Sequence, residues 1–205
     1  GSSPKEESIR TIPAKTCRGS QLKFTPQSIK DVVLIEPDIH GDDRGYLIET
    51  FRQDLLEEAV GYKVNFLQDN ESKSLKGVLR GLHYQLLPFT QAKLVRVIEG
   101  SVLDVAVDIR KSSPTFGHHI SIELTAQNKH QLFIPHGFAH GFVVLSASAT
   151  FAYKTDNYFA PEFDRGIAFD DVKLNIDWQL PLETLQLSSK DKTHPSLANA
   201  KDLFE

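Results

Sequence analysis

The stretch KLVRVIEGSVLDVAVDIR, residues 93–110, constrains the fold more than any other. It holds two segments of alternating character, with Val95, Val97, Val102, Val105 and Val107 supplying β-branched bulk on either side of Glu99-Gly100. Such side chains suit a pleated, half-buried surface, and a glycine-containing turn joins neighbouring antiparallel strands. The same texture continues in HHISIELTA, QLFIP, AHGFVVLSA and ATFAYKTDNYF, parted by short loops. Upstream, DVVLIEP reads as a strand closed by proline, and GDDRGYLIETF as a turn followed by a strand. Many short strands at close spacing predict a mainly β domain: a sandwich, jelly roll or barrel. Two short helices are expected at its periphery, one over QDLLEEAVG and one over HPSLANAKDLF.

The chain has 205 residues, 40% hydrophobic and 24% charged, the balance of a globular protein that buries its own core. No apolar run approaches the roughly 20 residues that cross a bilayer, so no membrane partner is expected. A net charge of -4 leaves no global basic field for nucleic acid, so an anionic ligand must meet local arginines and lysines. Cys17 is the single cysteine, which fits a reducing compartment, and GSSPKEES lacks the apolar core of a signal peptide. A cytoplasmic protein is expected. Residues 1–25 read as a polar arm, partly tag remnant, that is mobile or adds one late strand; residues 26–205 read as a single domain.

Chemistry concentrates around two histidines. PHGFAHG, residues 135–141, has the Pro-x-Gly-x-x-His form that metal-binding jelly rolls of the cupin type use to aim a histidine, here His140, into the barrel mouth. Their upstream motif supplies His-x-His and then a carboxylate. Here that segment is His83-Tyr84-Gln85, and Lys93 stands about where the carboxylate belongs. A divalent ion wants neutral imidazoles and anionic oxygens, and an ammonium offers it no lone pair. The residue types therefore predict a barrel without metal or other cofactor. Histidine and lysine suit proton abstraction beside a ketone, the imidazole as base and the ammonium on the enolate oxygen. Asp191 in SSKDK is available to orient such a base. The remaining histidines His40, His118, His119, His130 and His194 read as surface or structural residues.

Five blocks in order, KGVLRGLHYQ, AKLVRVIEGSVLDVAVDIRKSSPTFG, IPHGFAHGFVVLS, YKTDNYFAPEFDRGI and IDWQLPLETLQLSSKD, resemble the dTDP-4-dehydrorhamnose 3,5-epimerases. The resemblance implies a cupin-type jelly roll (double-stranded β-helix), metal-free and active as a homodimer with exchanged N-terminal strands. It implies a dTDP-linked 4-keto-6-deoxyhexose substrate, epimerised at C3 and C5. By the same resemblance His83 is the base paired with Asp191, Lys93 stabilises the enolate, and Tyr153 supplies a proton from the opposite face. His140 lines the pocket, Arg80 and Lys190 meet the diphosphate, and Gln68, Asn70 and Tyr158 meet the thymidine. Arg44 and Glu49 fall on the strand lent by the neighbouring subunit. Read without the resemblance, Tyr153 and Tyr158 are cross-strand packing, Arg44 is a surface partner of Asp42 or Asp43, and Trp178 is core or rim. The chain departs from the family pattern at His136, where glutamate is frequent, and in its N-terminal arm.

Four rival functions stand beside this reading, the last a metal-dependent oxygenase of the same barrel, which metal analysis of the purified protein would settle. A 3-only or 5-only epimerase uses the same base and enolate. A nucleotide-sugar ketoisomerase shares the barrel but is expected to lack the RGLHYQ block. A non-catalytic nucleotide-sugar-binding cupin has no need of base and acid together.

Overall fold

A computed structural model describes residues 22–205. The strands are β1 (Leu22–Pro26), β2 (Val33–Pro37), β3 (His40–Asp42), β4 (Gly45–Leu47), β5 (Gln68–Leu75), β6 (Leu79–Gln85) and β7 (Lys93–Glu99). They continue as β8 (Ser101–Asp108), β9 (His119–Thr125), β10 (Gln131–Ile134), β11 (Phe138–Val144), β12 (Ser148–Thr155) and β13 (Asp164–Gly166), with one helix, α1 (Gln53–Val60). A six-stranded sheet in the order β1-β2-β10-β7-β12-β5 faces a five-stranded sheet in the order β13-β6-β11-β8-β9, and β3 and β4 form a separate hairpin. All named strand pairs are antiparallel, which is the two-sheet jelly roll expected.

The period of two along each strand sorts side chains between the barrel interior and its outer coats. Val95 and Val97 of β7, Val102 and Ala106 of β8 and Phe138, Phe142 and Val144 of β11 meet in one core between the sheets. Their neighbours Leu103, Val105, Val107, Ala139 and Val143 point outward, into a second cluster covered by the C-terminal segment and Trp178. The third cluster places Leu56 of α1 and Val64 against Val33, Leu94 and Phe133 on the back of the six-stranded sheet. The same alternation sends His140, between Phe138 and Phe142, and Asp104, between Val102 and Ala106, into the interior.

The Glu99-Gly100 turn has a steric reason. Gly100 has φ +80, and a Cβ there would lie 2.1 Å from the Ser148 carbonyl oxygen. α1 ends on Gly61 in the left-handed conformation, with its N–H bonded to Glu57 O, as the glycine in QDLLEEAVG predicts. Trp178 is core, with Nε1 donating to Phe169 O at 2.9 Å.

Two elements differ from the sequence expectation. HPSLANAKDLF forms no helix beyond a single 3₁₀ turn at Leu197–Asn199. Leu197, Ala200, Leu203 and Phe204 pack singly against the outer cluster, and Leu197 N–H donates to Asp171 Oδ2 at 2.7 Å. Tertiary packing overrides a short, weak helical preference there. The polar segment QDNESKSL, with no apolar alternation, is nonetheless strand β5, paired through eight positions with β12. At the N-terminus β1 spans the boundary placed at residues 25 and 26, and Leu22 and Phe24 pack against the third cluster. The rest of the predicted arm, including Cys17, lies outside the described residues. Among the described residues no helix is long and apolar enough to cross a membrane.

Candidate active site

A cavity of about 500 Å³ opens between the two sheets, and Arg80, His83, Lys93, His140, Tyr153, Lys190 and Asp191 all line it. His83 and Arg80 come from β6 and His140 from β11 of the five-stranded sheet, whereas Lys93 and Tyr153 come from β7 and β12 of the six-stranded sheet. Polar groups supplied by two opposing walls converge on one volume.

The placement of Arg80 and His83 needs an irregular strand. Three positions apart, they would face opposite sides of a regular strand. The ladder between β6 and β11 pairs His83 with His140 and Arg80 with Phe142, so two residues of β6 oppose the single Gly141. This bulge resets the alternation and turns both side chains inward. Glycine is required at its centre: Gly81 has φ +137, and a Cβ on it would sit 2.5 Å from Gly141 Cα. That is the structural content of RGLH facing AHGF.

His83 Nε2 lies 2.6 Å from Asp191 Oδ1. Asp191 is 4% exposed, and its Oδ2 accepts the Gly81 N–H at 3.3 Å. Burial opposes ionisation of Asp191, but the hydrogen bonds from His194, His83 and Gly81 outweigh it and hold the carboxyl well below the usual carboxylate range. With Nε2 engaged by the carboxylate, Nδ1 is the nitrogen of His83 left to take a proton.

Lys93 is partly buried in the cavity wall. Burial pulls its ammonium down to about 8, against the charges of Asp164 and Asp104, which favour the cation. Its Nζ lies 6.0 Å from the centre of the Tyr153 ring. Burial raises the Tyr153 phenol, Arg80 lowers it and Asp164 raises it further, so the hydroxyl keeps its proton at neutral pH. Tyr153 both lines the cavity and packs on Phe151, ring centres 5.9 Å apart. His140 Nε2 lies 2.8 Å from Oδ2 of the fully buried Asp104. Desolvation holds that imidazole neutral against the pull of Asp104.

The remaining predicted residues sit differently. Arg80 Nε donates to Ser74 Oγ at 3.1 Å, and Lys190 pairs with Asp164 at the cavity mouth. Gln68 Nε2 donates to Asn70 Oδ1 at 3.0 Å on β5, and Gln68 Oε1 accepts the Phe159 N–H at 3.0 Å. Asn70 borders a second, smaller cavity of about 300 Å³ that shares Tyr153. Tyr158 is 57% exposed and outside both cavities. Arg44 stands on the β3–β4 hairpin, bonded to Asp42 through Nε at 3.1 Å, and does not line its own chain's cavity. Glu49 lies 3.8 Å from Arg52, also away from it.

Several positions gain a structural account. Gln85, where a metal-binding barrel has its second histidine, is buried and ties Phe89 O, Tyr158 O and Ala160 N–H together. His136 pairs with Asp156 at 2.7 Å, and the other oxygen of Asp156 accepts the Ala92 N–H just before Lys93. His194, read as structural with nothing converging on it, instead reaches Asp191 Oδ1 at 3.2 Å. Its spacing of three from Asp191 was a signal in the sequence; Asp104, a lone acid in an apolar strand, was another. His83, Asp191 and His194 form the one trio of metal-capable side chains among the described residues, with donor atoms within 4.8 Å of one another. An ion there would have to displace the hydrogen bonds that hold Asp191.

The sequence profile of the dTDP-4-dehydrorhamnose 3,5-epimerase family matches residues 26–199. The chain belongs to this family. It is 58% identical to the dTDP-4-dehydrorhamnose 3,5-epimerase of Shigella flexneri over 80% of this chain and 89% of that one. It is 52% identical to the enzyme of the same name from Pseudomonas aeruginosa, over 87% and 98% of the two chains. Among solved structures, the dTDP-6-deoxy-D-glucose-3,5-epimerase of Legionella pneumophila, in complex with dTDP-4-keto-L-rhamnose, superposes with a TM-score of 0.87 at 48% identity. That match covers 90% of this chain and 98% of the other. Family membership makes the protein an isomerase of the epimerase type with a cupin-type β fold.

Proposed function

We propose that the protein epimerises dTDP-4-dehydro-6-deoxy-D-glucose at C3 and C5, giving dTDP-4-dehydro-L-rhamnose. The observation that carries this is the oriented pair His83–Asp191 on one wall of the cavity and Lys93 with Tyr153 on the other. C3 and C5 both adjoin the C4 ketone, so one enolate-stabilising group serves both. His83 Nδ1 takes the proton from carbon while Asp191 stabilises the imidazolium, and the electron pair moves onto the C4 oxygen beside the Lys93 ammonium. The Tyr153 hydroxyl then gives its proton to the opposite face of the same carbon, inverting it. Solvent resets both groups. No step calls on a metal.

Arg80 and Lys190 offer cations at the mouth for the diphosphate, and Gln68, Asn70 and Tyr158 offer polar edges and a ring for the nucleoside. The working form is a homodimer. In support, the β3–β4 hairpin is exposed throughout and carries the apolar Tyr46 and Leu47 at 60% and 74% exposure. Arg44 and Glu49 are then residues offered to the partner's cavity, and the N-terminal strands the part exchanged. A cytoplasmic location fits a nucleotide-sugar substrate.

The test is NMR in D₂O with the dTDP-4-keto sugar. Deuterium should enter at C3 and at C5 with inversion. Absence of exchange above the buffer rate would end the epimerase proposal, and exchange at one carbon only would make the protein a mono-epimerase.

A further inference from the structure

The carboxylate behind the base has a second imidazole on it. His83 Nε2 and His194 Nε2 approach the same atom, Asp191 Oδ1, at 2.6 and 3.2 Å. The two rings meet edge to face, centres 5.7 Å apart at 80°. The His194 side chain is 8% exposed, so its ring nitrogen has little water to compete with the carboxylate.

The surroundings are shaped for this ring. Gly166 of β13 pairs with His83 across the ladder, and a Cβ on Gly166 would lie 2.4 Å from His194 Nε2. Any other residue at 166 would push the imidazole off the carboxylate. The backbone following the ring is tied at two points, Ala168 N–H to Pro195 O at 2.8 Å and Leu197 N–H to Asp171 Oδ2 at 2.7 Å. A proline directly after His194 fixes the chain further.

An ionised carboxylate only accepts hydrogen bonds. With both Nε2 atoms on Oδ1, each imidazole carries its proton there, and the Gly81 N–H occupies Oδ2. Three donors on two oxygens stop the carboxylate from turning about its bond. A carboxylate free to turn would hold the His83 ring less firmly and select the Nε2–H tautomer less strongly.

We propose that His194 is a positioning residue: it clamps Asp191 so that His83 is held in the Nε2–H tautomer with Nδ1 presented to the substrate. This rests on His83 being the base, as proposed above, and adds a group that sets how often the base is correctly armed. Because His194 does not line the cavity, it alters turnover and leaves substrate affinity nearly untouched.

Two variants separate this role from a structural one. His194→Phe keeps a ring of similar size against His83 and removes the donor; His194→Gln returns an N–H near the Nε2 position. For His194→Phe we expect kcat to fall about 10- to 100-fold with KM changed less than about threefold. His194→Gln should recover most of that loss, at a thermal midpoint matching His194→Phe. Long-range ¹⁵N–¹H correlation spectra of the substrate-free protein should show the Nε2–H tautomer of His83 in wild type and in His194→Gln, and a mixture in His194→Phe. A folded His194→Phe protein with wild-type kcat and tautomer overturns the proposal. So does a loss shared equally by both variants and tracking their thermal midpoints. The tautomer is read without turnover, so a wild-type protein with His83 correctly held but no deuterium exchange would leave the clamp standing and refute the epimerase assignment instead.

Discussion

His83 and Asp191 lie 108 residues apart in the chain and 2.6 Å apart in the fold, joined where β6 meets the C-terminal segment. A carboxylate so placed fixes the tautomer of an imidazole and stabilises its protonated form. Asp191→Asn keeps the shape but loses the charge. We expect kcat to drop about 10³-fold with KM nearly unchanged, measured by initial rates of epimerisation, and C3 and C5 deuterium exchange to fall in parallel.

In the proposed mechanism Lys93 is expected to set the alkaline side of the activity. Its ammonium titrates at about 8, below the ordinary lysine value of 10.5, because burial disfavours the charge. If the cation holds the enolate, kcat should decline as pH rises through about 8. The linkage to stability has the opposite sign. Between about 8 and 10.5 the unfolded chain binds more protons than the native one, so stability attributable to Lys93 rises with pH across that window. Lys93→Met should therefore abolish the alkaline limb with nearly all activity, yet raise the thermal midpoint at neutral pH. A lower midpoint would contradict the desolvation account.

Tyr153→Phe divides the reaction at its middle. The base and the enolate-stabilising lysine remain, so solvent deuterium should still enter the sugar. The proton from the opposite face is lost, so inversion should slow by about 10²- to 10³-fold. A ratio of exchange to inversion unchanged from wild type would remove Tyr153 from its proposed role.

The bulge at Gly81 predicts a stability effect at a position that is also functional. Gly81→Ala places a Cβ 2.5 Å from Gly141 Cα at φ +137. We expect a loss of about 3 kcal/mol in chemical denaturation, and loss of activity because His83 and Arg80 can no longer both face inward. Gly45 also has a left-handed φ but open space around it, so Gly45→Ala should cost about 1 kcal/mol.

The dimer proposal is tested by complementation. Arg44→Ala and His83→Ala proteins, each inactive alone, should on mixing and exchange regain about a quarter of wild-type activity, since half the dimers are mixed and each has one intact site. No recovery between proteins shown to exchange subunits would place Arg44 outside the neighbouring site.

Much of the fold was legible because its strands carry their own signal: Val95 and Val97 alternate along β7, and Val102, Val105 and Val107 give β-branched bulk to β8, which is buried on both faces. β5 was not legible. It is an edge strand whose inward positions Gln68, Asn70 and Ser72 are polar, so no apolar alternation marks it. The terminal helix failed for the converse reason, since its apolar residues meet the outer cluster one at a time. At the site, the residue types at His83 and Lys93 suggested proton chemistry, SSKDK offered Asp191 to orient the base, and the resemblance paired Asp191 with His83 and added Tyr153. For His194 the spacing of three from Asp191 hints at a contact, but on a loop that spacing does not fix one, and the room for its ring comes from Gly166, distant in sequence.

The glycine seam between β6 and β11 has one more consequence. Backbones that approach within the radius of a methyl group leave no slack, so His83 is mounted on one of the least adjustable points of the barrel. The wall that carries Lys93 and Tyr153 has no glycine lock beside those two residues: its close glycine contact, Gly100 on Ser148, and its register shift at Thr150/Phe151 lie toward the other end of the β7–β12 ladder, and the described sheet ends at the edge strand β5. If His83 is the base, a different stereochemical outcome on this scaffold would be reached by moving Tyr153 and Lys93 around a stationary His83.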